Sequence, residues 1–366
     1  RYWQADGAVR NDIVATGGQP GVFDDEARAL GARIFYLRYG RRHLPSFTSG
    51  FRRVLRSGAY DVLHDHQDFS SGWHYLIGQG ALPALRVTHV HNPAYQIRNN
   101  YGVTLARRLT ARAGKRLVAR YATHILGTSR AAITAHGFDD PAFAATPKAA
   151  LHCGIDASRF RASNAARTSV RDEFSWSAKD AVVLFAGRFD VSPDPGHPQT
   201  HKNSGFAVDV AIESARRSDN VRFIFAGPFS EATPVLRQRV LEAGLERRIV
   251  FAGLRQDIGR LMGAADALLF PSRAEGLGMV AVEAQAAGLP VLASSAVPRE
   301  CVVIPQLVRF ANLDDGVAAW AEQLLAVIDA PRLDPADANR QVAASAFAIQ
   351  HSAQALERLY RDGALT

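Results

Sequence analysis

Short apolar runs alternate with amphipathic helical patterns along the whole chain. The runs are about four to eight residues long, are rich in β-branched residues and end at Gly, Ser or a helical pattern, which is typical of parallel strands covered on both faces. They are NDIVAT, ARIFYL, DVLHDH, LRVTHVH and THILGTS in the first half, then AVVLFAGR, VRFIFAG, RIVFAG, ALLFPS and PVLASS. The pattern therefore predicts two doubly wound α/β units.

The length of 366 residues suits two domains of this kind. The stretch HCGIDASRFRASNAAR is polar and lacks periodicity, which indicates a boundary near residues 154–166. We expect an N-terminal domain over residues 1–155 and a C-terminal domain over 156–340. A continuous helical pattern from about Ala336 to Leu359 predicts a terminal helix, with residues 341–366 crossing back to the first domain.

Composition narrows the class of protein. With 47% hydrophobic and 21% charged residues the chain is an ordinary folded protein. No apolar run approaches the roughly 20 residues that span a bilayer, and the start RYWQADGAVR lacks the apolar core of a signal peptide. Two cysteines, Cys153 and Cys301, lie far apart and support neither a disulfide framework nor a thiolate zinc site. We expect a soluble protein in the cytoplasm.

The net charge of +8 lies entirely in the first half. Residues 1–155 carry 20 basic and 10 acidic residues, whereas the remainder carries 23 and 25. The densest basic segment, Arg98 to Arg120, has seven basic residues and no acidic one. On a helix its arginines lie mostly away from an apolar stripe, so the segment suits either an anionic lipid surface, as a peripheral membrane protein, or a solvated helix face. Nucleic-acid binding is not expected, because no aromatic platform accompanies the charge. The stripe consists of Val103, Ala106, Leu109, Ala113, Leu117 and Tyr121.

The stretch ALLFPSRAEGLGMVAVEAQAAGLPVLASS contains the most informative motif. Gly276 and Gly278 allow a close approach of the backbone to a ligand, and a helix beginning near Met279 presents free N–H groups suited to a diphosphate. Glu283 lies about one turn into that helix, where its carboxylate suits the vicinal hydroxyls of a ribose, while Glu275 lies in the preceding loop. Surface glutamates alone do not explain both glycines and both acids together.

Two cationic residues lie at and after the end of the candidate strand VVLFA, earlier in the sequence. Arg188 ends VVLFAGRFD, and Lys202 in THKNSG lies just before a helix. A guanidinium fork and a lysine point charge in these places are suited to phosphate oxygens.

Two His-x-His pairs end strands of the first half: His64 with His66, and His89 with His91. Residues two apart on a strand face the same side, so each pair brings two imidazoles together. This geometry suits a metal-dependent hydrolase, which is one alternative interpretation. Polar lining of a cleft is the other.

Taken together, these residues resemble the retaining nucleotide-sugar glycosyltransferases of family 4, within the group 1 glycosyltransferases. The Glu-x7-Glu motif appears as Glu275 to Glu283, the Gly-Arg motif as Gly187 and Arg188, and the following lysine as Lys202. HCGIDASRF resembles the linker motif, and RVTHVHNP resembles the strand that ends in a histidine, here His91. The likeness runs from near Asp12 to the C-terminus.

This resemblance implies a GT-B fold of two facing Rossmann-like domains with an interdomain cleft. It also implies transfer of a sugar from a nucleoside diphosphate to a hydroxyl of a polysaccharide or lipid-linked glycan, with retention and without a required metal or other cofactor. The absence of an Asp-x-Asp tripeptide fits that expectation. The implied catalytic residues are Arg188, Lys202, Glu275 and His91. The donor-binding residues are Gly187, Gly253, Leu254, Arg255, Gly276, Leu277, Gly278, Met279, Val280 and Glu283, with the base near Gly253 to Arg255. His66 and Asn92 are expected on the acceptor side.

The chain departs from the family pattern in two places. The family's first strand and glycine-rich loop have no counterpart in the given sequence, so either the sequence lacks its natural beginning or the protein manages without that loop. The insertion DVSPDPGHPQTH separates Arg188 from Lys202 and lengthens a normally short connection. A non-catalytic nucleotide-sugar-binding protein remains a further alternative.

Overall fold

The computed structural model describes residues 9–93 and 104–364. These residues form two compact units. The first contains residues 9–91, 104–151 and 350–364, and the second contains residues 92–93 and 152–349. All ten predicted strands are present, because each apolar run is bounded by a turn or a helix start that fixes its length.

The first unit contains two parallel sheets. Strands β1 (Asp12–Ala15) and β2 (Arg33–Tyr36) form one. The other has the order β3 (Val62–Asp65), β4 (Leu85–Val90), β5 (His124–Gly127) and β6 (Lys148–Ala150). A cavity of about 1140 Å³ is lined by residues of β1 and of β3. The helices are α1 (Asp24–Ala29), α2 (Leu44–Gly58), α3 (Ser70–Ile77), α4 (Leu105–Tyr121) and α5 (Arg130–Ala135).

The second unit is a six-stranded parallel sheet with helices on both faces. Its order is β12-β11-β10-β7-β8-β9, so β7 and β10 are neighbours and the strand order reverses between them. The strands are β7 (Ala181–Ala186), β8 (Val221–Ala226), β9 (Ile249–Gly253), β10 (Ala267–Phe270), β11 (Val291–Ser294) and β12 (Val308–Ala311). The helices are α6 (Asn164–Glu173), α7 (Ser204–Arg217), α8 (Thr233–Glu242), α9 (Ile258–Ala264), α10 (Met279–Ala286), α11 (Gly316–Ile328) and α12 (Pro335–Ala343).

Alternate side chains of the central strands enter separate cores on the two faces of this sheet. Val182 and Leu184 pack in one core, and Val183 and Phe185 pack in the other. This double burial explains why the sequence of β7 is continuously apolar. It also leaves the carboxyl ends of β7 and β10 as the point where polar side chains meet, which is the position at which open α/β sheets bind ligands.

The prediction of one continuous terminal helix is wrong. The segment forms α12 and a second helix, α13 (Ile349–Asp362), separated by residues 344–348. The break occurs because the backbone there pairs with another segment: Ile155 donates to the carbonyl of Phe347, and Ile349 donates to the carbonyl of Ile155. The ring of Phe347 stacks on His152 at 4.5 Å. Helix α13 belongs to the first unit, where Leu359 and Tyr360 pack with Val87 and Leu126.

The predicted apolar stripe of the basic segment is also wrong. Within α4 the buried residues are Gly114 and Val118, whereas Leu109 is 54% exposed. The packed face is set by α3, because a Cβ added to Gly72 would lie 2.1 Å from the carbonyl oxygen of Gly114. Two glycines thus allow the helix backbones to touch. Residues 98–103 of the predicted segment, including Val103, lie outside the described residues.

No helix in the described part of the chain combines the length and hydropathy needed to traverse a lipid bilayer.

Candidate functional site

Three of the predicted site residues meet at the reversal point between β7 and β10. Lys202 Nζ donates to Glu275 Oε1 at 2.6 Å. A Cβ added to Gly187 would lie 3.7 Å from Lys202 Cδ, so the lysine stem passes directly over the backbone that ends β7. Both side chains of the ion pair are largely buried, with 29% exposure for Lys202 and 12% for Glu275. The insertion between Arg188 and Lys202 therefore leaves the lysine beside Glu275.

Asp190 holds this lysine in place, and sequence analysis did not single it out. Its buried carboxylate accepts hydrogen bonds from the backbone N–H groups of His201 (2.8 Å), Lys202 (3.0 Å) and Ser204 (2.8 Å). The two ends of the insertion are thereby tied to one side chain. Asn203 adopts a left-handed conformation, with φ of 59°, where the loop turns into α7. An aspartate within a proline-rich insertion is typical of a turn, and Asp190 and Asp194 both fit that pattern. The sequence alone therefore does not show which of the two holds the loop.

Arg188 follows β7 with its side chain exposed. Within residues 9–93 and 104–364 its guanidinium makes neither a hydrogen bond nor an ion pair. A close backbone contact fixes the loop that carries it, because a Cβ added to Gly227 would lie 1.9 Å from the carbonyl oxygen of Gly187. The site thus presents one cation in solvent and a second held by Glu275.

The Gly-x-Gly motif forms the start of α10. Gly278 has φ of 92°, a left-handed conformation that favours glycine, and it immediately precedes Met279. The free N–H groups of the first turn therefore follow a residue without a side chain. Leu277 is buried, and Met279 and Val280 are half-buried against one core of the sheet. Gly276 lies buried in the loop after Glu275.

Glu283 lies on the first turns of α10 in a largely buried position. Burial raises its pKa to about 7, and the opposing charges of Arg159 and Lys202 offset only part of that effect. Its carboxylate accepts no hydrogen bond from the described residues. A largely buried carboxylate that accepts no hydrogen bond is stabilised by a ligand whose hydroxyl groups donate hydrogen bonds to it.

The three residues predicted to lie near the base are the last residue of β9 and the first two of the loop that follows it. Gly253 has φ of 67°, and its carbonyl accepts from Gly227 N at 2.8 Å. Leu254 is 69% exposed. Arg255 forms ion pairs with Asp257 and Glu173, and the hydrogen bonds that its guanidinium donates to these carboxylates raise its pKa. The guanidinium of Arg255 thus braces the loop against α6.

Of the two predicted acceptor-side residues, His66 lies in the first unit, and Asn92 directly follows the last residue of that unit's first segment. His66 Nδ1 is 2.7 Å from His91 Nε2, and Asn92 is exposed in the bend that follows. Burial lowers the pKa of both histidines, to about 4 for His91, so both imidazoles are neutral at pH 7. The second predicted pair, His64 and His89, lies beside them, with Nε2 of His64 3.1 Å from Nδ1 of His89.

Comparison with known proteins relates both units to one class of enzyme. Residues 180–330 match the family model described as glycosyl transferases group 1, and residues 1–140 match that of the glycosyl transferase 4-like domain. The Bacillus subtilis protein EpsF is 25% identical over 361 residues, covering 96% of this chain and 88% of EpsF. The lipopolysaccharide core biosynthesis mannosyltransferase LpsB of Rhizobium meliloti is 33% identical over 145 residues, which cover 37% of this chain and 40% of LpsB.

Solved structures show the same fold. The Anabaena protein HepE, crystallised with UDP and glucose, superposes with a TM-score of 0.69 at 18% identity over 96% of this chain and 99% of HepE. Sucrose-phosphate synthase from Thermosynechococcus elongatus gives 0.70 at 19% identity over 96% of this chain and 88% of that one.

The fold and the site define a GT-B enzyme that transfers a sugar from a nucleotide donor. The chain belongs to the group 1 glycosyltransferases of the family 4 type, as the sequence motifs predicted. These relationships support neither the metal-dependent hydrolase nor the non-catalytic binding protein.

Replacing Asp190 tests its role in holding Lys202. We expect Asp190→Asn to destabilise the second unit by about 2 kcal/mol or more, because the new amide NH₂ cannot accept from the buried N–H groups. Its unfolding temperature should fall by about 4 °C or more, and nucleotide-sugar affinity should weaken with it. Both are measured by thermal unfolding with and without donor.

Asp194→Asn is the matched control. Asp194 is an exposed aspartate of the same insertion whose carboxylate accepts from Gly196 N at 2.8 Å. A loss of stability as large for this control as for Asp190→Asn would contradict the assigned role.

Proposed function

We propose that the chain transfers a hexose from a nucleoside-diphosphate sugar to a hydroxyl of a polysaccharide or lipid-linked glycan, with retention at the anomeric carbon. The observation that supports this most strongly is the convergence of the Lys202–Glu275 ion pair, Arg188 and the start of α10 at one end of the second unit's sheet. The difficult step is departure of a diphosphate from an oxocarbenium-like centre. Cations and aligned N–H groups stabilise the charge that develops on this leaving group.

The charge of the site suits a diphosphate. Arg188 and Lys202 supply two positive charges, Glu275 removes one, and Glu283 is only partly ionised at pH 7 because of its raised pKa. The remaining positive charge attracts an anionic donor with little repulsion from the acids. We infer that Arg188 and Lys202 contact phosphate oxygens and that Glu275, already beside the lysine, orients the sugar hydroxyls.

Glu283 is placed to bind the ribose of the donor, and the loop of Gly253, Leu254 and Arg255 to border its base. The neutral imidazole of His91 is suited to hydrogen bonding with a sugar hydroxyl, and His66 and Asn92 to the acceptor. The proposed reaction needs no metal, since cationic side chains supply the stabilising charge.

The nature of the acceptor is inferred from relatives and from charge. LpsB is a lipopolysaccharide core mannosyltransferase, and the neighbouring structure WaaG, with a TM-score of 0.66, is involved in lipopolysaccharide biosynthesis. In this chain the exposed leucines Leu105 and Leu109 lie on the same helix as exposed arginines. Such a helix suits an anionic lipid surface, and we propose that α4 holds the enzyme on the cytoplasmic face of a membrane.

Arg188, Lys202, Glu275 and the start of α10 together form what we call the cationic cradle, and substitution of its residues tests the electrostatic part of the proposal. We expect Arg188→Ala and Glu275→Ala each to lower kcat about 100-fold or more, because each removes a group aimed at the departing diphosphate or the sugar. Release of nucleoside diphosphate is measured with UDP-, GDP- and ADP-sugars and a glycan acceptor. Arg309→Ala, an exposed arginine on the edge strand β12, is the control and should retain full activity. Near wild-type rates for the two cradle variants would refute the assigned roles.

Donor binding should strengthen with pH through Glu283. The carboxyl is mostly protonated at pH 6 and mostly ionised at pH 8, and the ionised form accepts both ribose hydrogen bonds. We expect Kd for an intact nucleotide sugar to fall by up to about tenfold over this range. The intact donor is used because a free terminal phosphate titrates in the same range. Glu283→Gln should bind with a flat pH profile, and an unchanged slope in this variant would exclude Glu283 as the titrating group.

The raised pKa of Glu283 also determines how this residue changes the free energy of unfolding with pH. The folded protein favours the neutral acid, so this contribution is fully present below the ordinary carboxyl pKa and is lost as the pH rises through about 7.

Vesicle sedimentation tests the membrane proposal. The double variant Arg112→Gln/Arg116→Gln removes two exposed charges of α4 and should weaken binding to anionic vesicles about 30-fold, at roughly 1 kcal/mol per charge. The charge-matched control, Arg216→Gln/Arg358→Gln, removes exposed arginines from α7 and α13. Equal weakening in both double variants would show that net charge, rather than α4, controls the binding.

A further inference from the structure

Four imidazoles meet at the carboxyl ends of β3 and β4, and the proposed donor chemistry does not use two of them. This histidine cluster consists of His64, His66, His89 and His91. Ring centroids lie 4.3 Å apart for His64 and His66, 5.2 Å for His64 and His89, and 4.2 Å for His89 and His91. The parallel register brings the pairs together, because β3 and β4 are adjacent strands and each pair projects from one face of its strand.

The ring nitrogens of this cluster are spaced for a common ion. One nitrogen from each of His64, His66 and His89 lies within 4.8 Å of the other two. Tetrahedral coordination with metal–nitrogen bonds of about 2.0 to 2.1 Å requires ligand nitrogens about 3.3 Å apart. His64 Nε2 and His89 Nδ1, at 3.1 Å, already meet that spacing.

One member of the cluster has an unsatisfied polar atom. His89 is only 5% exposed, and its Nε2 is buried without a hydrogen-bond partner in residues 9–93 and 104–364. The two nitrogens of one imidazole point in different directions, so this Nε2 cannot bind the ion that Nδ1 would hold; in a metal complex it would carry the ring proton and leave the lone pair of Nδ1 for the ion.

The surroundings of the cluster support His64 as a ligand. Its Nδ1 is 2.5 Å from the hydroxyl of Tyr360, and such a bond to the distal nitrogen orients the ring and directs Nε2 into the cluster. The negative charge of Asp65, itself held by Ser71 and His74, lies close enough to favour a cation at His64 and His66. Both histidines line the 1140 Å³ cavity, through which an ion can enter.

We propose that His64, His66 and His89 bind one divalent transition-metal ion of the Zn²⁺, Co²⁺ or Ni²⁺ type, with His91 or water as a fourth ligand. Imidazole ligands without thiolates or ligating carboxylates favour these ions over Mg²⁺ and Ca²⁺. The proposed ligands belong to the first unit, whereas the cationic cradle belongs to the second. The metal site does not depend on the transferase proposal, but it shares His66, and His91 where that residue is the fourth ligand, with the groups proposed there to contact the acceptor and the sugar.

Metal binding is tested on untagged full-length protein treated with a chelator, in the absence of any nucleotide sugar. We expect Co²⁺ to bind with one equivalent per chain and to give the visible absorption of a tetrahedral site, and Zn²⁺ to displace it. Equilibrium dialysis gives the Kd for Zn²⁺. Because a missing ligand leaves an incomplete shell, His64→Gln and His89→Gln should each raise this Kd about 100-fold or more and remove the visible band. Tyr360→Phe should raise it about tenfold through loss of the orienting bond.

His43→Gln is the control, since His43 lies in the same unit at the start of α2 and away from the cluster in sequence. It should bind as the wild type does. Far-UV circular dichroism confirms that each variant is folded, and a second pair, His64→Asn and His89→Asn, replaces any variant that is not. Absence of a stoichiometric Co²⁺ spectrum in the wild type, or equal Zn²⁺ affinity in the folded cluster variants and in His43→Gln, would overturn the proposal. Activity assays on the cradle variants are unaffected by either result.

Discussion

The buried hydrogen bonds to Asp190 are the interaction on which the second unit's site depends. One carboxylate accepts from three successive parts of a loop, and that loop sets the position of Lys202 beside Glu275. A lysine on a long, proline-containing insertion would otherwise sample many positions at a large entropic cost. Folding orders the loop and its lysine before a donor binds. A cation that is already in position stabilises a departing anion most effectively, because no further reorganisation is needed during the reaction.

The parallel sheets were predictable from the sequence because each strand buries both faces. Val182 to Phe185 show this most clearly, since alternate residues enter different cores. Strands β6 and β12 were missed. The first is only three residues long with the sequence KAA, and the second, VRFA, has no continuous apolar run. Their identity as strands comes from pairing with β5 and β11, which is tertiary information.

The site was predictable where residue type and spacing carry the chemistry, as for Glu275, Glu283, Arg188 and Lys202. It was not predictable where the role depends on partners distant in sequence. Asp190 acts on backbone groups about a dozen residues ahead. The face of α4 that packs is chosen by contact between Gly72 and Gly114, and no periodicity of apolar residues records that contact. The pairing of Ile155 with residues 347–349 interrupts a helical pattern in the same way.

The return of the chain at α13 has a consequence for biosynthesis. Residues 152–349 form one uninterrupted block, whereas the other unit is completed only by Leu359 and Tyr360, which follow that block in the sequence. As the ribosome releases residues in order, the later block can assemble first, while the earlier one waits with Val87 and Leu126 uncovered.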